Sequence, residues 1–382
     1  MPARSMVLDL PAAPRAAAAP QLRVAGVARA LPEHRYPQAA ITAALAELWR
    51  GRLERPELLE RLHARAGVAH RHLAFPLERY AGFRSWGETN AAWLEVAQTL
   101  GEQALDRALA RAGVTRRDLD ALFVVSITGV ASPSLDARLI NRMGLRRDIK
   151  RTPIFGVGCV GGALGLSRAA DYVLAHPEGC AALLSVELCS LTLQRDDRST
   201  TNLVSTGLFG DGAAAVIVTG AQRAALPVYG LGERAMRAGP VILGTGSVFY
   251  RESEDVMGWD ISERGFEIVL SPRLPDLIRA NLARDVDGFL ARFGLVRGDI
   301  GSWVIHTGGP KILHSVQSTL GLPERALERS WASLREVGNL SSASVLLVLE
   351  DTIEQARPAA GTLGLLLAMG PGFCSELILL RW

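Results

Sequence analysis

The stretch Ile154-Phe155-Gly156-Val157-Gly158-Cys159-Val160-Gly161-Gly162-Ala163-Leu164-Gly165-Leu166 decides how this chain reads. A short apolar run ends at Phe155, glycines surround one cysteine, and apolar residues then recur at helical spacing: Val160, Leu164, Ala170, Val173 and Leu174. The pattern predicts a strand, a tight turn, the cysteine and a helix. Gly156 and Gly158 allow the backbone angles such a turn needs. Gly161 and Gly162 are poor helix formers, placed to let a substrate or another backbone come close. A cysteine at a helix N-terminus meets unpaired N–H groups and the positive end of the dipole, which favour the nucleophilic thiolate. The plainer reading is a buried, inert cysteine. On this stretch alone both readings stand.

Composition bounds the alternatives. With 382 residues the chain exceeds a typical single core and is expected to form two domains or two fused halves. Nearly half is apolar, as in a soluble globular protein. A net charge of +3 makes no case for nucleic acid, and no stretch is long and apolar enough to span a membrane. Cys159, Cys180, Cys189 and Cys374 form no CxxC pair, and no His/Cys cluster has zinc spacing, so no metal is expected. Without a disulfide framework a reducing cytoplasm is expected. Residues 1–20, rich in Ala, Pro and Arg, read as a disordered arm.

Strands alternate with helices along the rest, which means α/β layers. Strands are expected at 22–30, 119–127, 180–193, 213–218, 303–305, 362–369 and 375–380. Helices are expected at 38–66 (broken near Pro56), 91–112 (closed by Gly113), 135–143 and near 275–293. A boundary near 221–237 divides an N-terminal half, 21–235, from a C-terminal half, 236–382. The halves echo each other: FVVSITG around residue 126 resembles WVIHTGG around 306, and AAAVIVTG around 217 resembles LGLLLAMG around 367. This suggests a duplicated α/β unit with five-stranded sheets. Glu187 is an unusual charge inside a buried strand.

A nucleophilic thiolate needs a partner for its proton. His34, His63, His70, His72, His176 and His314 fall in expected helices or polar loops. His306 instead ends an apolar strand and precedes Thr307-Gly308-Gly309-Pro310, so it faces a loop crevice. In Val337-Gly338-Asn339-Leu340-Ser341-Ser342-Ala343-Ser344, asparagine and small hydroxyl residues open an apolar helix. That is an N-cap pattern. A neutral amide also donates to a developing oxyanion, where a carboxylate would repel it. The arginines Arg50, Arg52, Arg55, Arg61 and Arg65 form a solvated helix face or a phosphate-binding one.

Five linked motifs, GVGCVGGALGL, LFGDGAAAVIV, VIHTGGPKIL, VGNLSSAS and MGPGFCSELILLRW, resemble the type III polyketide synthases, the chalcone synthase-like branch of the thiolase fold, from about residue 20 to the end. SITGVASPSLDARL and ELCSLT make it most similar to the bacterial alkylresorcinol and alkylpyrone synthases. The resemblance implies an α/β thiolase-like duplicated fold with two mixed sheets, a homodimer, and Cys159 as nucleophile with His306 and Asn339 as partners. It places Phe209 and Ile268 at gatekeeper positions, Ile268 departing from the aromatic residue of the plant pattern. It places Ile127, Ser132, Cys189, Thr192, Trp259 and Ser341 along the cavity, with Ser132 near the partner's cavity. Arg61, Arg65, Gly309 and Lys311 fall at coenzyme A-binding positions. It further implies no cofactor: a long-chain acyl-CoA loads on Cys159, malonyl-CoA extends it by decarboxylative condensation, and the chain closes to a resorcinol or pyrone. A ketoacyl-ACP synthase III, a cysteine acyl-CoA hydrolase and a non-catalytic partner subunit are the competing readings.

Overall fold

The computed structural model describes residues 22–223 and 239–382, so the expected N-terminal arm and most of the expected boundary lie outside the described residues. Its strands are β1 Leu22–Ala30, β2 His34–Pro37, β3 His70–Leu73, β4 Ala121–Val125, β5 Lys150–Ile154, β6 Cys180–Leu188, β7 Asp211–Thr219, β8 Val241–Phe249, β9 Met257–Ser262, β10 Gly265–Leu270, β11 Ile300–Ile305, β12 Leu363–Gly370 and β13 Cys374–Arg381. Its helices are α1 Gln38–Leu48, α2 Pro56–Ala64, α3 Leu77–Tyr80, α4 Trp86–Ala112, α5 Leu135–Met143, α6 Gly161–Ala175, α7 Thr200–Leu208, α8 Leu274–Ala291, α9 Pro310–Leu320, α10 Glu328–Val337 and α11 Ser344–Gln355.

The main sheet runs β11-β12-β13-β8-β1-β7-β6-β4-β5. Its two halves meet at a narrow β1–β8 seam, where Leu22 faces Ile242 and Arg23 faces Val241. On one side lies the expected five-stranded sheet. On the other are four strands whose pairing mirrors it outward from the seam: antiparallel, antiparallel, then parallel. This symmetry makes β4 the counterpart of β11, as the first sequence echo suggests. The second echo does not hold, because β7 corresponds to β13 rather than to β12.

Alternation along the strands builds the layers, since successive side chains point to opposite faces. In β7, Ala214, Val216 and Val218 enter a central core with α6 and α11, while Ala213, Ala215 and Ile217 face α4. In β12, Leu366 and Ala368 join the same central core, while Leu365, Leu367 and Met369 face α8 and α9. Helices therefore cover both outer faces and two more fill the middle, the five-layer thiolase-like arrangement. The helix α4 starts at Ser85, whose side chain accepts from Glu88 N, and stops at left-handed Gly113.

Two local expectations change. The strand β6 ends at Leu188, not Leu193, because Asp211 at the start of β7 accepts from Ser190 N at 2.8 Å and from the Ser190 hydroxyl, drawing Cys189–Thr192 into a 3₁₀ turn. His34, His70 and His72 lie in the β2–β3 pair rather than in helices or loops.

Candidate active site

The chain leaves β5, turns through Gly156 (φ 86°) and Gly158 (φ 51°), and carries Cys159 in a single 3₁₀ turn that runs into α6. A Cβ on Gly158 would lie 2.6 Å from Pro371 Cδ, and one on Gly162 would lie 2.2 Å from the Ser342 carbonyl oxygen. Thus Gly162 admits another backbone, not a substrate. The loops at 370–372 and 341–343 close over the cysteine turn.

The loop at 341–343 is organised by Asn339. Its Oδ1 accepts from Ser341 N at 2.8 Å and from Ser344 Oγ at 3.2 Å. Both partners engage the oxygen, so the amide NH₂ is left to donate into the cavity it shares with Cys159. The capping and donor readings of Asn339 therefore coexist in one side chain. The Cys159 thiol also donates toward Ser341 Oγ at 3.8 Å. Ser341 holds a left-handed φ of 46°, a strain found where surrounding structure fixes a functional turn.

His306 directly follows β11, and its N–H donates to Leu367 O at 3.0 Å. Both ring nitrogens are buried without a partner. Buried His63 differs, with Thr42 Oγ1 at 2.8 Å and Thr206 Oγ1 at 3.3 Å. An imidazole left unsatisfied in a cavity is waiting for a reactant. Cys159, His306, Asn339 and Phe209 line one cavity of about 50 Å³.

Burial works against one expectation. Burial pushes the Cys159 thiol up to about 11, against hydrogen bonds from Ser341 and Asn339, and nearby Glu187 pushes it the same way. Burial alone lowers His306 to about 4. Burial therefore favours a thiol and a neutral imidazole in the resting site and opposes the thiolate expected at the helix terminus. Glu187 itself is fully buried and raised to about 7 by desolvation. It accepts from Ser342 Oγ, from Ile127 N at 3.1 Å and from Thr128 Oγ1 at 2.9 Å, tying the loop after β4 to the loop before α11.

A second cavity of about 140 Å³ lies behind Phe209, which lines both. Cys189, Thr192, Trp259 and Ile268 line it, Trp259 and Ile268 facing each other across the β9–β10 hairpin. Ile127 is buried against the cysteine turn, its Cδ1 at 3.4 Å from where a Gly158 Cβ would lie. Ser132 belongs to neither cavity: it lies exposed at the tip of the loop before α5. Arg61, Arg65 and Lys311 are exposed, and Gly309 is buried at the N-cap of α9 with φ 111°. The end of α2 meets the start of α9, where a Gly67 Cβ would lie 3.2 Å from Pro310 Cγ. Among the described residues no cluster of three or more His, Cys, Asp or Glu could hold a metal.

Sequence reading missed Arg71, which is buried and lines the second cavity. The alternation of His70-Arg71-His72-Leu73, which puts the arginine on the inward face with leucine, is the pattern that could have found it.

The fold and the lined cavity define a condensing enzyme of the thiolase class. Two family profiles cover most of the chain: "FAE1/Type III polyketide synthase-like protein" at residues 28–228 and "Chalcone and stilbene synthases, C-terminal domain" at 244–382. A 1,3,6,8-tetrahydroxynaphthalene synthase of Streptomyces peucetius subsp. caesius is 53% identical over 359 residues, 94% of this chain and 93% of that one. The crystal structure of the 1,3,6,8-tetrahydroxynaphthalene synthase of Streptomyces coelicolor A3(2) superposes with a TM-score of 0.83 at 30% identity, covering 95% of this chain and 99% of that one. PKS-I of the brown alga Ectocarpus siliculosus gives 0.84 at 29% identity, over 95% and 98%. The chain belongs to the type III polyketide synthases and is an acyltransferase. No helix among the described residues is long and apolar enough to cross a membrane.

Proposed function

We propose that this synthase is both primed and extended by malonyl-CoA and folds the chain into a polyhydroxylated naphthalene. The observation that carries this reading is the full-length 53% identity to a tetrahydroxynaphthalene synthase. A bicyclic aromatic with oxygens on alternate carbons is a folded poly-β-ketone, and malonyl units alone supply that pattern. The carrier is coenzyme A, held by Arg61, Arg65, Gly309 and Lys311 where α2 meets α9. No other cofactor takes part.

In the first step the Cys159 sulfur attacks the thioester carbon while its proton passes to neutral His306. The C–S bond to coenzyme A breaks, and the departing thiolate takes the proton back from His306. A second malonyl-CoA then loses its carboxylate as carbon dioxide. The electron pair of that C–C bond becomes a thioester enolate, stabilised by donation from Asn339 Nδ2 and His306. The enolate carbon attacks the Cys159 acyl group, a C–C bond forms, and the cysteine sulfur leaves. The lengthened chain, now on coenzyme A, reloads on Cys159. A mostly apolar wall (Leu208, Met257, Leu270 and Leu367) favours decarboxylation by destabilising the buried carboxylate.

A long-chain acyl-CoA starter closing to an alkylpyrone or alkylresorcinol is the second reading. It is favoured by the aliphatic side of the second cavity, formed by Ile41, Leu45, Leu48, Leu73 and Leu77. Incubation with malonyl-CoA alone, followed by mass spectrometry, separates the two: the first reading requires a naphthalene product without any added starter. Product formation only when an acyl-CoA is supplied would replace it by the second. The synthase is further proposed to be a homodimer, on the unpaired edge of β5.

A further inference from the structure

Arg71 is 3% exposed, and its stem passes between two site loops: a Cβ on Gly338 would lie 3.3 Å from its Cδ and one on Gly210 3.6 Å from its Cγ. Those glycines flank Asn339 and Phe209 in sequence. The guanidinium therefore lines the second cavity beside the backbone that carries Asn339 and Phe209. Two of its nitrogens are committed: Nε donates to Gln38 Oε1 at 3.1 Å, and Nη1 donates to the Phe209 carbonyl at 2.8 Å. Nη2 is buried with no partner.

No carboxylate among the described residues hydrogen-bonds to this cation. Asp211 is near enough to interact electrostatically, but its oxygens accept from Ala74 N at 2.6 Å, Ser190 N at 2.8 Å and Ser190 Oγ. Burial lowers Arg71 to about 10, so it is still protonated at neutral pH. A buried guanidinium nitrogen left without an acceptor is unfavourable, and a charge-assisted bond to an oxyanion relieves that more fully than any neutral contact. The remaining wall mixes aliphatic, aromatic and neutral polar side chains and offers a carboxylate no other cationic partner among the described residues lining the cavity.

We infer that Arg71 is a specificity-determining residue of the second cavity that receives the carboxylate end of a malonyl-primed chain through its free Nη2. This rests on the malonyl-primed reading above. A starter that keeps its carboxylate carries a negative charge at the far end of the growing chain. As the chain lengthens past Phe209, that end enters the cavity and spreads its lining until it reaches the guanidinium. A methyl-ended chain leaves Nη2 unsatisfied.

The test compares isotopically labelled succinyl- and glutaryl-CoA with labelled butyryl- and valeryl-CoA as starters, with unlabelled malonyl-CoA as extender. The readout is kcat/KM for starter-labelled product. The wild-type protein should prefer carboxylate-ended starters over methyl-ended ones of matched length by tenfold or more, the reverse of what an apolar cavity alone would select. In Arg71→Gln that preference should disappear, thermal melting confirming that the variant is folded. Equal or better use of methyl-ended starters by the wild-type protein at every length overturns the inference, even if Arg71→Gln fails to fold. Persistence of the carboxylate preference in a folded Arg71→Gln overturns it too. If malonyl-CoA alone yields the naphthalene without any carboxylate preference among the starters, the inference fails and the malonyl-primed reading stands. If malonyl-CoA alone yields nothing, that reading fails instead.

Discussion

Asn339 and Phe209 are joined as an isolated parallel bridge: Asn339 N–H donates to Leu208 O at 2.9 Å, and Asn339 O accepts from Gly210 N–H at 3.0 Å. The amide offered to the enolate and the ring between the two cavities thus share one rigid clamp. Side-chain chemistry at 339 can be altered without releasing Phe209, because the clamp is made by backbone. Asn339→Ala should therefore retain acyl loading of Cys159 and lose malonyl decarboxylation by roughly a hundred- to a thousandfold, the usual effect of removing one oxyanion donor. Carbon dioxide release and intact-protein mass after acyl-CoA treatment measure the two steps separately. Equal losses in both would remove the division of roles.

The thiol at Cys159, raised to about 11, is ionised at pH 7 in roughly one molecule in ten thousand. His306, lowered to about 4, supplies no imidazolium to hold a thiolate. Alkylation of the resting enzyme by iodoacetamide at Cys159 should be slow near neutrality and rise about tenfold per pH unit between roughly pH 7 and 9. Cys159→Ala supplies the background from the other cysteines. A rate already high at pH 6 and flat above it would mean that a thiolate–imidazolium pair exists before substrate arrives.

The pKa of this cysteine marks the limit of what was legible locally. The turn at Gly156 and Gly158 could be read because positive φ is a demand on the residue itself, met by glycine. The rise in the thiol could not, because the groups that bury it, Ser342 and Pro371, are nearly two hundred residues away or more and are brought in by the second half of the sheet. His306 and Asn339 were legible from strand and helix boundaries. The hairpin β9–β10 was not, since its residues are mostly half-exposed and show no clean alternation. Arg71 escaped for the opposite reason: its strand alternates, but only four residues long and between two histidines.

Among the described residues the strand β5 pairs only with β4 and leaves its other edge open, with Lys150 to Pro153 exposed. Phe155, just beyond it, is 45% exposed. An open edge beside an exposed aromatic ring favours pairing with a second copy. Sedimentation equilibrium at micromolar concentration should give twice the 40.9 kDa chain mass, and Phe155→Asp should shift the species toward a monomer. A wild-type monomer under those conditions would contradict the proposed dimer.

Glu187 links stability to the nucleophile. Its carboxyl is raised from 4.5 to about 7 because the charged form is desolvated, the bonds from Ser342, Ile127 and Thr128 only partly opposing this. A folded-state pKa above the unfolded one means that the folded protein holds this proton more tightly. The stabilisation is complete below about pH 4.5 and is lost as pH rises through about 7, on the order of 3 kcal/mol in all. Glu187→Gln keeps the shape, cannot ionise and should escape that loss. Its melting temperature relative to wild type should therefore rise between pH 5.5 and pH 8. Because the Glu187 charge also raises the Cys159 thiol, the same variant should shift the alkylation profile of Cys159 to lower pH. If the wild-type and variant melting curves keep a constant separation across that range, the carboxylate is ionised throughout, held by its three donors. An alkylation profile left unshifted in Glu187→Gln would assign the rise of the Cys159 thiol to burial alone.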